Sequence, residues 1–221
     1  MPQNACEPRK DSPQWQVPRP FLKWVGGKGQ LLHRMMPLVP CFSGVYHEPF
    51  VGGGALFFAL QPSRAILSDG NLRLIRAYRG LRDQPREVIR RLQEAPYDKD
   101  YFNHQRQRAI DADSDVEVAV WMIYLTRTGF NGLYRENRHG RFNVPFGRHV
   151  RPLICDEPNL LACSQRLQHA QILHDTFESV ESRARSGDFV YFDPPYQPVS
   201  ATSTFTSYTS RGFCFEDHRR L

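Results

Sequence analysis

Paired cysteines are missing from this 221-residue sequence. Its five cysteines (Cys6, Cys41, Cys155, Cys163 and Cys214) are odd in number, scattered, and nowhere in C-x-x-C spacing. That pattern argues against a disulfide framework or a cysteine zinc site and fits a reducing compartment. The N-terminus has no apolar signal core, and no run approaches the length needed to span a membrane. A cytoplasmic protein is expected. The eight histidines show no metal-ligand spacing, so no metal is expected, and His169 and His174 read as surface or capping residues. Asp111, Asp113 and Asp115 mimic the start of a calcium loop. Val116 stands where its glycine belongs and Met122 where its bidentate glutamate belongs. The three aspartates therefore read as a solvated helix start. Internal repeats are absent. Acidic residues are outnumbered, 23 against 29 Lys and Arg, which gives a net charge of +6 and a pI near 9.2. This balance favours a polyanionic partner.

What is present begins with proline. Residues 1–20 carry five (Pro2, Pro8, Pro13, Pro18 and Pro20) among polar residues and read as a disordered tail. From Phe21 to about Leu81 strands and helices alternate. Val45–Phe50 reads as a strand, Ala55–Leu60 as a helix, Arg64–Asp69 as a strand and Asn71–Leu81 as a helix. That is the signature of a parallel sheet. Residues 85–126 look mostly helical, broken at Pro96, with an apolar helix over Val116–Leu125 capped by Ser114. Residues 127–153 are rich in Arg, Asn and Gly, with turn signals at Asn131-Gly132 and His139-Gly140, and read as a hairpin-bearing insertion. Pro158–Leu167 reads as a helix. Gln171–His174 and Phe189–Phe192 read as strands, the latter apolar along its length as a strand buried on both faces should be.

Three segments carry candidate chemistry. Asp193-Pro194-Pro195-Tyr196 follows the last strand, and two prolines cannot continue it. A carboxylate, a proline carbonyl and an aromatic ring then stand at a strand's C-terminal end, where open α/β sheets bind ligands. This set suits methylation of an exocyclic amine on a base. Asp193 and the Pro194 carbonyl accept its two N–H bonds, and Tyr196 stacks on the ring. The plainer reading is a strand followed by a proline-rich loop. Phe50-Val51-Gly52-Gly53-Gly54 lies between a strand and a helix, where glycines let the backbone approach a ligand. Asp69 ends the next strand, where an acid can accept from both ribose hydroxyls. Its plainer reading is a helix-capping or turn aspartate. In Phe21–Lys28 the Gly-Gly-Lys invites a phosphate-loop reading, but Gly29 replaces the following Ser/Thr and the first glycine of that motif is missing. Lys28 on its glycine turn can instead pair with a carboxylate, such as the amino-acid end of S-adenosylmethionine. Trp24 either walls that pocket or belongs to the core.

Residues 127–151 hold six arginines (Arg127, Arg135, Arg138, Arg141, Arg148 and Arg151) against one acid, Glu136. Arginine pairs bidentately with guanine or clamps phosphates, and the interleaved Phe130, Tyr134 and Phe142 offer rings to stack on opened bases. The plainer reading is a solvated loop with anchoring aromatics.

In order, the chain has FLKWVGGK, EPFVGGG, SDGN, the Arg-rich strings RTGFNGLYREN and GRFNVPFGR, then FDPPYQPVSAT and FTSY. From Phe21 to the end this closely resembles the DNA adenine-N6 methyltransferases of the Dam type, the D12 class. The resemblance implies a Rossmann-like α/β sheet that uses S-adenosylmethionine, with a helical and β-hairpin DNA-recognition insertion. It implies residues 21–82 as the cofactor-binding part, 83–155 as the target-recognition insertion and 156–221 as the catalytic part. It places Trp24, Lys28, Asp69 and Asp193 at the cofactor, joined by Glu48, Phe50, Gly52 and Gly54 of the glycine segment. Asp193, Pro194, Pro195 and Tyr196 fall on the catalytic tetrapeptide. Lys23, Arg127, Phe130, Asn131, Leu133, Arg135 and Pro145 are the implied DNA contacts, reading GATC. Phe130 stands where the family often has tyrosine, so stacking survives there but a hydroxyl contact does not.

The function expected is transfer of a methyl group from S-adenosylmethionine to adenine N6 in duplex DNA, with the base flipped out of the helix. A catalytically silent DNA-binding remnant, or an amine methyltransferase acting on RNA or protein, are the alternatives. The partner expected is double-stranded DNA, with no membrane and no metal, and the chain a monomer or weak dimer. The family's chain continues beyond the position of Leu221 through a helix and further strands. An incomplete sheet, with reduced solubility or activity, is therefore expected of residues 1–221.

Overall fold

The computed structural model describes residues 17–195, 213 and 215–221. Its elements in chain order are α1 (Leu32–Met35), β1 (Tyr46–Glu48), α2 (Ala55–Leu60), β2 (Ala65–Asp69), α3 (Leu72–Asp83), α4 (Pro85–Glu94), α5 (Lys99–Gln107), α6 (Asp115–Thr128), α7 (Glu157–Leu167), β3 (Ala170–His174), α8 (Ser179–Arg183), β4 (Phe189–Val190) and α9 (Phe215–Arg220). The four strands form one sheet in the order β3-β2-β1-β4, and all pairs are parallel. A parallel sheet brings every strand's C-terminal end to the same edge, so Glu48, Asp69 and the segment after Val190 share one side of the molecule. This is the parallel sheet that the strand–helix alternation predicts and the Rossmann-like α/β arrangement that the resemblance implies.

Strand β1 is buried at all three positions although two of them are His47 and Glu48. Both side chains find a partner, although His47 Nδ1 is buried without one among the described residues. His47 Nε2 meets Asp188 Oδ2 at 3.0 Å, and the Tyr46 hydroxyl donates to Glu48 Oε2 at 2.8 Å. Asp188 also accepts from the Val45 amide at 2.7 Å and the Arg185 amide at 2.9 Å. These bonds hold its carboxyl down at about 2 and lock the start of β4 against β1.

Helix α6 is the hub. Nearly every residue from Val116 to Thr128 is buried, so it is apolar on all sides rather than on one stripe. Ser114 caps it by accepting from the Glu117 amide, as its position predicts. Thr126 and Thr128 bond back to the Met122 and Tyr124 carbonyls. Helix α3 packs close against the start of α6 because Gly80 has no side chain. A Cβ there would stand 2.2 Å from the Asp115 carbonyl oxygen.

Four expectations need correction. Residues 17–20 belong to the fold: Pro18 is buried, and Arg19 exchanges backbone hydrogen bonds of 2.9 and 3.0 Å with the Asn159 side chain of α7. Strand β4 is two residues long and half-buried, and Phe192 is 42% exposed. It pairs only with β1 among the described residues, so its apolar run is not covered on both faces there. Asp111, Asp113 and Asp115 are not simply solvated. They pair with Arg73, Arg108 and Arg76 and dock the α6 start onto its neighbours. In the Arg-rich segment only His139-Gly140 is the tip of an antiparallel excursion, with Asn137 and Arg141 bonded across it and one bridge between Glu136 and Phe142. Asn131-Gly132 lies instead in a single 3-10 turn, Phe130–Gly132, with φ of 53° at Asn131 and 65° at Gly132.

The α3–α6 approach yields a test. Gly80→Ala forces backbone against backbone, so it should cost about 1–3 kcal/mol, read as a lower urea midpoint. An unchanged midpoint would show that the two helices are free to separate.

Candidate active site

The glycine turn after β1 is shaped by close approach. Gly52 and Gly54 have φ of 46° and 67°, a region that disfavours side chains. A Cβ on Gly52 would also stand 2.9 Å from Trp24 Cδ1, and one on Gly54 would stand 2.8 Å from the Tyr78 hydroxyl. The Tyr78 hydroxyl donates to the Gly52 carbonyl at 3.0 Å, and the Val51 amide donates to Ser68 O at 3.0 Å. The turn is thereby fastened to both α3 and β2.

Asp69 sits beside it. Its carboxylate accepts from the Gly52 amide at 3.2 Å and the Asn71 amide at 2.9 Å. Asn71 is itself the N-cap of α3, accepting from the Leu74 amide at 3.0 Å. Burial lifts the Asp69 carboxyl to about 6 against those two amides. Glu48 is 3% exposed, and burial lifts it to about 8. The Tyr46 hydrogen bond opposes that rise, while the nearby charges of Asp193 and Asp69 add to it. Glu48 therefore lies within electrostatic reach of both Asp69 and Asp193.

Asp193 closes the group. Lys28 Nζ lies 2.6 Å from Asp193 Oδ2, with both side chains largely buried, and also donates to the Gly26 carbonyl at 2.9 Å. The lysine is thus on the site side of its glycine turn, and the carboxylate it meets is the protein's own. Pro194 and Pro195 follow, half-buried. Tyr196 and the string from Gln197 to Tyr208 lie outside the described residues. Phe50 faces Phe177, its ring stacked at 5.6 Å. Trp24 stacks on Tyr134 of the Arg-rich segment, with centroids 5.1 Å apart and planes at 22°.

The candidate DNA contacts divide. Lys23, Phe130, Asn131, Arg135 and Pro145 are exposed. The Phe130 amide donates to the Pro145 carbonyl at 2.9 Å, and the Lys23 side chain covers Gly132, so four of these share one patch. Arg135 Nε donates to Asn143 Oδ1 at 2.7 Å across the excursion. Leu133 is half-buried against the core. Arg127 turns inward instead. It donates to the Phe21 carbonyl at 3.2 Å, and burial lowers its pKa. Tyr134 and Phe142 are 3% and 4% exposed and pack with Trp121, so they cannot stack on bases in this arrangement. Arg138, Arg141, Arg148 and Arg151 are exposed.

A family profile described as D12 class N6 adenine-specific DNA methyltransferase matches residues 24–221. The chain belongs to this family. The Type II methyltransferase M1.LlaDCHI of Lactococcus lactis subsp. cremoris is 44% identical over 211 residues, covering 92% of this chain and 74% of the relative. The Type II methyltransferase M.MjaIII of Methanocaldococcus jannaschii is 40% identical over 228 residues, covering 92% and 78%. The DNA adenine methylase of Escherichia coli strain K12 is 35% identical over 210 residues, covering 92% and 74%. As a D12-class enzyme the chain is an adenine-specific DNA methyltransferase. No helix among the described residues is long and apolar enough to cross a membrane. Among the same residues, no group of three or more His, Cys, Asp or Glu side chains is arranged to hold a metal ion.

Some site-supporting residues escape a reading of motifs. Tyr46 had a signal, since positions i and i+2 of a strand share a face and Tyr46 precedes Glu48 by two. Tyr78 had none, because its link to Gly52 depends on how α3 lies over the turn.

The raised Glu48 pKa yields a pH prediction. The folded state holds the Glu48 proton more tightly than the unfolded chain. Its contribution to stability is therefore complete below about 4.5 and is lost as pH rises to about 8. Glu48→Gln has no such loss. Between pH 4.5 and pH 8.5 the variant should gain on the wild type by on the order of 3 kcal/mol, followed by urea denaturation. Parallel pH curves would mean that Glu48 is ionised in the fold.

Proposed function

We propose that this enzyme transfers the methyl group of S-adenosylmethionine to N6 of adenine in duplex DNA, at GATC. The observation that carries the reading is the Lys28–Asp193 ion pair at the end of the sheet. It supports the reading by holding Asp193 to the segment whose Trp24 lies against Gly52, and the Gly52 amide in turn donates to Asp69.

The residues present fit the cofactor. Gly52 and Gly54 keep the turn free of side chains. Asp69 offers acceptors for ribose hydroxyls, Lys28 lines the same site while held by Asp193, and Trp24, Glu48 and Phe50 border the turn. The acidic groups Asp69 and Asp193 also suit a cationic ligand, because an incoming positive charge is attracted to them. When bound, the sulfonium supplies an activated methyl group, so the protein's task is orientation and electrostatics.

The amino group of adenine is a poor nucleophile because its lone pair is delocalised into the ring. Asp193 and the Pro194 carbonyl accept its two N–H bonds and favour a more tetrahedral nitrogen. Tyr196 stacks on the base. The S–C electron pair would return to sulfur as a neutral thioether as the nitrogen takes the methyl group, and the N–H proton bonded to Asp193 would pass to that carboxylate and on to solvent. Lys23, Phe130, Asn131, Arg135 and Pro145 form the proposed target-reading face. Arg138, Arg141, Arg148 and Arg151 add positive charge for phosphates. The resemblance of the strings around these residues to the Dam type supports GATC. Arg127, facing inward, is left out of this face.

Two variants test the assignment. Asp193→Ala should cut methyl transfer at least ~100-fold while leaving most DNA affinity, which rests on arginine–phosphate contacts. Near-normal turnover with tritiated cofactor would defeat the role of the tetrapeptide. Arg135→Ala should relax sequence preference by about 1–3 kcal/mol, mapped as methylated sites in a random duplex library. An unchanged preference would move Arg135 to the phosphate contacts.

A further inference from the structure

Arg73 belongs to no motif, yet it joins more parts of the molecule than any candidate residue above. It is the second residue of α3, two positions after the Asn71 cap and four after Asp69. Its guanidinium is bidentate to Asp111, with Nε–Oδ1 and Nη2–Oδ2 both 2.6 Å. Nη1 donates to Glu136 Oε1 at 3.1 Å and to the Gly140 carbonyl at 2.6 Å. The group also lies over the Trp121 ring of α6, 5.7 Å from its centroid. One side chain on the cofactor side thus grips the tip of the Arg-rich excursion and the approach to α6.

These contacts close a circuit. Glu136 accepts from the Tyr134 hydroxyl. Tyr134 stacks on Trp24, Trp24 lies against Gly52, and the Gly52 amide donates to Asp69. Asp69 holds the Asn71 amide at the start of α3, which carries Arg73. A ligand on Asp69 or the glycine turn loads one side of this loop of contacts. Duplex pulling on residues 135–141 loads the other. With all five guanidinium donors in a rigid fork, Arg73 transmits either load better than a flexible point charge could.

We propose that Arg73 is a positioning residue that couples cofactor occupancy of the glycine turn to the pose of the target-reading excursion. The inference rests on the function proposed above. Bound cofactor product raises affinity for the target duplex through Arg73, and by linkage the duplex raises affinity for the product equally. Arg73 itself touches neither ligand.

The test measures that coupling directly in the full chain. S-adenosylhomocysteine is titrated calorimetrically with and without a saturating duplex that the wild-type enzyme methylates. The wild type should bind it about tenfold tighter with duplex present, within the usual range for coupled sites. Arg73→Met should bring that factor close to one, while affinity for S-adenosylhomocysteine alone changes less than about twofold. Arg73→Lys should fail to restore it, because an ammonium cannot make the bidentate contact. Glu136→Gln cuts the same circuit from the other side with little change of shape, and should lose coupling as Arg73→Met does. Retained coupling in a folded Arg73→Met or Glu136→Gln protein would overturn the proposal, as would its absence from the wild type. Loss of folding in both variants would assign Arg73 to stability alone and also overturn it. A wild type that binds neither ligand would instead sink the methyltransferase reading beneath it.

Discussion

Three carboxylates from three strands meet at one end of this sheet, and their repulsion must be answered locally. Glu48 ends β1, Asp69 ends β2 and Asp193 follows β4. Each is answered differently. Glu48 keeps its proton to about pH 8 and takes a hydrogen bond from Tyr46. Asp69 takes two backbone amides. Asp193 takes the Lys28 ammonium. The surrounding fold follows from these needs. The Asp69 amides require the glycine turn and the α3 start to stand beside β2. The Lys28 pair requires the N-terminal glycine turn to reach over the end of β4. Parallel pairing in the order β3-β2-β1-β4 is what brings the three ends together at all.

Charge of the other sign is sorted just as sharply in the insertion. Arg73, Arg76 and Arg108 turn toward Asp111, Asp115 and Asp113 and hold helices together. Arg135, Arg138, Arg141, Arg148 and Arg151 face solvent. Arg73 and Arg76 are themselves largely buried, so their pairs are screened less than pairs on open surface, although Asp111 is exposed. The exposed ones lie on a segment with a single acid, Glu136, and that acid already serves Arg73 and Tyr134. The outer face of the segment is therefore left positive, which suits the phosphate contacts proposed for it.

Much of the candidate site's geometry was legible because its parts are local. The glycine turn, Asp69 after its strand and the Asp-Pro-Pro segment each announce themselves within a few residues. The helix cap at Ser114 did too. The directions of side chains in the Arg-rich segment were not legible. Tyr134 and Phe142 look like free aromatics in sequence, but Trp121, on a helix before them, takes both into one cluster. Arg127 looks like its neighbours, but it lies in the last turn of a helix buried almost all round, and its side chain turns in to the Phe21 carbonyl. Asp111 and Asp115 gave no hint of partners, because Arg73 and Arg76 lie more than thirty residues earlier. Strand β4 read as fully buried because an apolar run reports composition rather than coverage.

The account stands most directly on the product of the reaction. Duplex DNA containing GATC is incubated with the wild-type chain and methyl-labelled S-adenosylmethionine, digested to nucleosides and resolved by mass spectrometry. The account predicts label in N6-methyldeoxyadenosine alone. Label in a cytosine derivative, or label transferred to RNA or protein in place of DNA, would contradict it.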